Sequence, residues 1–158
     1  MLYRILRVDE NWHAGLSANN PNYITSVFEH VINKGNNKIT ELRTSNSEWQ
    51  SPYITTCGSL NSVLEYRKQF HPLNTHIVQI SEDNLPVVKI DLRTLSNRKN
   101  YYVRDTNSNE LIKDFNIFAK ENEVVLLVGY VPATHVQLME ESEFDCGQLY
   151  VGMLANLT

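Results

Sequence analysis

Cysteine is scarce: the 158 residues contain two, Cys57 and Cys146. A disulfide-rich scaffold is excluded by that count, and the pair is either one bridge or two free thiols. No CxxC or HxxxH pair occurs and the five histidines are scattered, so a zinc site has no ligand pattern and no metal is expected. Positive charge is not in excess. Fourteen basic residues stand against eighteen acidic ones, a net charge of −4, which argues against a generic nucleic-acid or anionic-membrane binder. No apolar run approaches the ~20 residues needed to span a bilayer, so no membrane partner is expected. The N-terminus has neither a basic n-region nor an apolar h-region, so no signal peptide is visible and the compartment stays open. No GxGxxG or GxxxxGK[ST] occurs, which leaves Rossmann and P-loop readings without a motif.

What remains is an ordinary globular composition, 42% apolar and 20% charged, in a chain of single-domain length spanning residues 1–158. Asparagine clusters at Asn19-Asn20, Asn36-Asn37 and Asn107-Ser108-Asn109 read as turn chemistry. Leu2 to Val8 reads as a strand with Leu2, Leu6 and Val8 on one face, and Arg4 on that same face. Ser26 to Lys34 reads as a helix capped by Ser26 and ended by Gly35, with Val27, Phe28, Val31 and Ile32 as its apolar stripe and His30 at the margin. Asn36 to Pro52 is a polar loop. Tyr53 to Cys57 is a strand, Gly58-Ser59 breaks it, and Leu60 to Phe70 is a helix. Ile77 to Ile80 and Val87 to Leu92 are strands.

Ser96 to Asn109 is polar, with Tyr101-Tyr102-Val103 as a short strand within it. Leu111 to Lys120 fits either a helix or a loop carrying Phe115 and Phe118. Glu123 to Val128 is a strand with four branched apolar residues in succession. His135 to Met139 and Leu149 to Leu154 are further strands. The acidic cluster Glu140, Glu141, Glu143 and Asp145 reads as a solvated loop. Many short strands with only two or three helices predict an α+β or mainly-β domain, not a doubly wound sheet.

Two features are out of place in a plain core. Arg4 puts a charge into an apolar strand face. Its bland reading is an edge strand with the guanidinium in solvent. Glu121-Asn122-Glu123 puts two carboxylates two residues apart, on the same side if the chain is extended there. Either both face water, or one stabilises positive charge while the other handles a proton or a nucleophile.

In order along the chain stand a strand with an embedded Arg (Leu2-Tyr3-Arg4), an aromatic–aliphatic–hydroxyl–hydroxyl strand (Tyr53-Ile54-Thr55-Thr56-Cys57), and a Glu-x-Glu entering an apolar strand (Glu121-Asn122-Glu123-Val124). This order resembles the Arg–Ser–Glu type of mono-ADP-ribosyltransferase, with the cholera and pertussis toxin catalytic subunits as the nearest likeness. Phe28-Glu29-His30-Val31, Asn46-Ser47, Ser59 and the run from Leu127-Val128-Gly129-Tyr130-Val131-Pro132 to Val136 extend the resemblance over about residues 2 to 139.

The resemblance implies split antiparallel β-sheets around an NAD cleft with a few flanking helices. It implies NAD as substrate, with Arg4 binding a phosphate or ribose. Thr55 would stand for the family serine and orient the catalytic carboxylate, and Thr56 would support the strand. Glu123 would hold the ribose 2′-hydroxyl and stabilise an oxocarbenium-like species. Glu121 would engage a guanidinium acceptor, His30 would line the pocket, and Phe115 or Phe118 would sit on the acceptor loop. It also implies a protein target, delivery as a toxin or effector domain, and a small immunity or inhibitory partner. Thr55-Thr56-Cys57 departs from the family's serine–threonine–serine. The alternatives are therefore a catalytically inactive interaction module and an NAD glycohydrolase. A nucleophilic role for Cys57 finds no protease signature nearby.

Overall fold

The computed structural model describes residues 1–36, 50–70 and 76–140. The strand expected at Leu149 to Leu154, the acidic residues beyond Glu140, Cys146, Asn46-Ser47 and most of the expected loop lie outside them. Among the described residues there are six strands, β1 (Leu2–Ile5), β2 (Ile54–Cys57), β3 (Ile77–Ile80), β4 (Val88–Asp91), β5 (Val124–Val128) and β6 (Val136–Leu138). Four α-helices accompany them, α1 (Val27–Asn36), α2 (Leu60–Phe70), α3 (Leu95–Tyr102) and α4 (Asn109–Glu121). The class is α+β, as the alternation of short strands and helices implies.

The strands form one antiparallel sheet in the order β4-β5-β2-β1-β3-β6. Two separate sheets were expected; one continuous sheet is found. Its pairing is uneven. β1 and β3 register over four pairs, from Leu2↔Ile80 to Ile5↔Ile77, and β2 and β5 over four, from Ile54↔Leu127 to Cys57↔Val124. Between β1 and β2 a single pair registers, Tyr3↔Cys57. The sheet is thus two well-paired halves joined at one rung.

Both faces are covered, which is why β5 reads as unbroken apolar sequence. Alternation sends Ile5, Cys57, Ile77, Val124 and Leu126 into the helix-side core, where Val31, Val63, Phe115 and Phe118 meet them. Leu2, Leu6, Ile54, Val78, Ile80, Val125 and Leu127 build a second core on the opposite face with Leu16 and Val131.

The bounds of α2 and β3 fall where hydrophobic periodicity puts them. Other elements differ for physical reasons. β1 stops at Ile5, and Val8 is exposed. α1 begins after Ser26, whose hydroxyl accepts the Glu29 N–H at 3.0 Å. It runs through Gly35 to Asn36, so Gly35 does not end it. The short strand expected at Tyr101-Tyr102-Val103 is instead the end of α3, a helix capped by Thr94, whose side chain accepts from Asn97 N–H. Its inward residues are Arg98 and Tyr102, one turn apart, and a buried arginine does not register in an apolar pattern. Leu111 to Lys120 is helical, inside α4. Phe115 and Phe118 are accordingly not on an acceptor loop: both are buried in the helix-side core.

Candidate active site

The three sequence fragments converge on β1, β2 and the start of β5. Arg4 is buried on the second face of the sheet, where alternation puts it with Leu2 and Leu6. Its guanidinium is engaged within the chain. Nε and Nη2 donate to the Glu10 carboxylate at 3.1 and 2.7 Å, and Nη1 donates to the Thr55 carbonyl at 2.8 Å. That last bond spans the β1–β2 seam beyond its single registered pair. Arg4 is therefore a seam-closing residue, not the solvent-facing side chain of an edge strand, and a phosphate would have to displace Glu10 to use it.

Thr55 lies on the helix-side face of β2. Its Oγ1 is 2.9 Å from His30 Nε2, and His30 Nδ1 is 2.7 Å from Ser51 Oγ. Ser51 Oγ also accepts the Tyr53 N–H at 3.1 Å. Burial pushes the His30 pKa well below 6.5, and the nearby Lys34 and Arg4 charges add to the effect. The ring is thus a neutral link in a buried Ser51–His30–Thr55 chain. Thr56 points to the other face and donates to the Val125 carbonyl at 2.6 Å. Its hydroxyl supports the strand.

Glu123 is placed differently from the expectation. Glu121 is the last residue of α4, Asn122 caps that helix, and Glu123 follows at φ 47°, in the left-handed region. The chain is not extended here, so the two carboxylates do not share a side. Glu121 is exposed and lines a hollow of about 310 Å³ between α1, α2 and α4, with Asp114, Gln69 and Phe70 among its neighbours. Glu123 turns towards the end of β2, where its carbonyl accepts the Gly58 N–H at 2.8 Å.

The hydroxyl that holds the Glu123 carboxylate is Ser59, not Thr55. The local logic is clear. Ser59 precedes α2, and its Oγ accepts the Ser62 N–H at 3.1 Å, as an N-cap does. Ser62 Oγ donates to the Ser59 carbonyl at 2.9 Å. A hydroxyl has one proton, and with Ser62 turned to that carbonyl, the Ser59 proton is left for Glu123. Thr55 lies in β2 and Gly58 just beyond its end, three residues apart and about 10 Å at strand rise, so Thr55 belongs to the His30 end of the strand and Glu123 to the other.

Sequence reasoning missed Arg93. It follows β4, and its guanidinium forks onto Asp91, Nε at 2.9 Å and Nη2 at 2.7 Å. The same bonds lower the Asp91 pKa. A Cβ on Gly58 would meet Arg93 Cδ at 3.0 Å, Arg93 Nη1 at 3.1 Å and Glu123 Cβ at 3.3 Å. Glycine at 58 is what lets Arg93 and Glu123 approach from two sides. The Ser59 cap could have been read from Gly58-Ser59 before an apolar helix; nothing local marks Arg93.

Cys57 is a free, buried thiol, and burial pushes its pKa up to about 12. It stays protonated and is no nucleophile. Among the described residues no group of three His, Cys, Asp or Glu side chains could hold a metal ion, and no helix is long and apolar enough to cross a membrane.

No protein-family model, curated protein or solved structure matches the chain. What it does has to follow from its residues and their geometry. Among them, Arg93 and Glu123 both come close to the backbone of Gly58.

Proposed function

We propose that the chain is an NAD-consuming mono-ADP-ribosyltransferase of the Arg–Ser–Glu type, cleaving NAD to nicotinamide and passing ADP-ribose to an arginine of a protein target. The observation that carries this reading is Glu123. A glutamate costs about 1–2 kcal/mol in the left-handed region. Here one is held there, at the mouth of a central strand, with a hydroxyl fixed on its carboxylate. Strain of that kind is kept where a side chain has to be aimed.

In this reading Glu123 holds the ribose 2′-hydroxyl and faces the positive charge that develops as nicotinamide leaves with the bonding electron pair. Ser59 takes the orienting role that the resemblance gave to Thr55. Thr55, His30 and Arg4 form the packed wall of the β1–β2 seam, the line along which the cleft of the family's split sheet would open. The target is a protein, delivery is as a toxin or effector, and a small immunity partner protects the producer.

A second reading, NAD glycohydrolase, is favoured by one observation. Glu121, the group expected to engage the acceptor, turns away from Glu123 onto the hollow beside α4. With no acceptor carboxylate at hand, water takes the ribosyl group. The experiment that separates the two is nicotinamide release by the purified chain with and without agmatine. Release that rises with agmatine and yields ADP-ribosyl-agmatine supports the transferase. Release indifferent to agmatine supports the glycohydrolase. No release in either condition overturns both and leaves an inactive interaction module.

A further inference from the structure

We infer that Arg93 is the residue that binds the pyrophosphate of NAD, where the resemblance gives Arg4 a phosphate or the ribose. The inference rests on the reading of this site as an NAD site and names a binding residue that the Arg–Ser–Glu pattern does not contain.

Three observations carry it. First, Arg4 is buried and its three kinds of N–H are already directed at Glu10 and the Thr55 carbonyl. A phosphate there would expel a buried carboxylate from its partner, at a cost that phosphate binding would have to overcome.

Second, Arg93 makes a similar fork onto a carboxylate but is more exposed, and its third nitrogen is not used among the described residues. Its side chain is 37% exposed. Asp91 takes Nε and Nη2, which fixes the plane of the guanidinium and leaves Nη1 with no hydrogen-bond partner among the described residues. That nitrogen lies over Gly58, near the point where Glu123 Cβ also comes into contact. In NAD the pyrophosphate is joined to the nicotinamide ribose through its 5′-oxygen. A group that binds it must therefore stand close to the group that holds the 2′-hydroxyl. Arg93 and Glu123 meet that demand across a glycine with no side chain to block them.

Third, the backbone under Arg93 is braced. Arg98, buried in α3, donates Nη1 to the carbonyls of Leu92 and Arg93, each at 3.0 Å, and Nε to Asn116 Oδ1 at 2.7 Å. The Leu92 N–H donates to the Val124 carbonyl at 3.0 Å, next to Glu123. Arg93 and Glu123 are thus tied to one another through backbone, and a planar guanidinium held in this way suits a phosphate oxygen better than a mobile lysine would.

The test is a titration by calorimetry of wild type, Arg93→Gln and Arg93→Lys with NAD, ADP-ribose and nicotinamide riboside, the last having no phosphate. Arg93→Gln is expected to weaken NAD and ADP-ribose about 10- to 100-fold, the loss of one charge-assisted bond. It should leave nicotinamide riboside within about twofold of wild type. Arg93→Lys should fall between wild type and Arg93→Gln for the phosphate ligands. Thermal melts of the three proteins should agree, because the residue is on the surface. Wild type that binds NAD while Arg93→Gln binds it equally well overturns the Arg93 assignment alone. Wild type that binds neither NAD nor ADP-ribose overturns the NAD reading and this inference with it.

Discussion

Two buried polar contacts set what single residues can be asked to do. Glu10 is held by Arg4 and Arg7. Burial alone would raise its pKa, but the guanidinium of Arg4, with help from Arg7, outweighs that and holds it below the ordinary 4.5. A carboxyl lowered on folding contributes stability above its unfolded pKa, and that contribution is lost as pH falls through the folded value. Urea titrations should therefore show stability declining below about pH 4.5. Glu10→Ala should cost about 3–5 kcal/mol at neutral pH, because it strands a buried guanidinium, and should flatten the acid decline. An unchanged midpoint would mean that the pair is not buried as described.

His30 titrates with the same sign for a different reason. The unfolded ring takes a proton near 6.5 while the buried one resists it, so stability should fall as pH drops below about 6.5. His30→Gln should remove that dependence. If wild type and His30→Gln show the same slope between pH 7.5 and 5.5, the ring is not buried and neutral.

At the scale of elements, the strand-to-helix junctions hold the chemistry. Glu123 sits between the cap of α4 and the first residue of β5, and Ser59 between β2 and α2. Asparagine tolerates the left-handed region better than glutamate and keeps an acceptor for Ser59. Glu123→Asn should therefore hold stability or raise it by up to about 1 kcal/mol while abolishing turnover, a trade of stability for function. Calorimetric melting beside a nicotinamide-release assay checks both halves, and a large destabilisation would contradict the strain argument.

These junctions are also where sequence reading stops. β5 was legible because Val124 to Leu127 are buried on both faces, and α2 because Leu60, Val63 and Leu64 fall on one side at helical spacing. The left-handed turn at Glu123 was not, because a glutamate carries no mark of φ. Arg93 gives no local signal either. Its place depends on β4 pairing with β5, a contact between residues more than thirty positions apart. Arg4 and Glu123 were recognisable as unusual from the residues and Thr55 through the resemblance, yet which side chain each of them meets was not. Glu10, His30 and Ser59 are chosen by tertiary packing.

For the whole molecule, the uneven sheet is the property that matters. β5 is paired on both sides, by β4 and β2, whereas β1 and β2 share one rung and the Arg4 bridge. Hydrogen exchange should find the Leu126 and Leu127 amides among the slowest. Arg4→Met should speed exchange in β1 and β2 while leaving the centre of β5 protected, since it removes the bridge and leaves Glu10 with Arg7 alone. Uniform loss of protection across all six strands would mean that the seam has no independence.

The central claim is that Glu123 acts on the glycosidic bond of NAD. The measurement that tests it most directly is nicotinamide release from NAD by the purified chain, beside Glu123→Gln, a near-isosteric change that removes the charge. Release by the wild type that falls at least about 100-fold in Glu123→Gln, with the thermal melt unchanged, is the predicted result. Release at the same rate in both proteins would contradict the claim, whatever the identity of the acceptor.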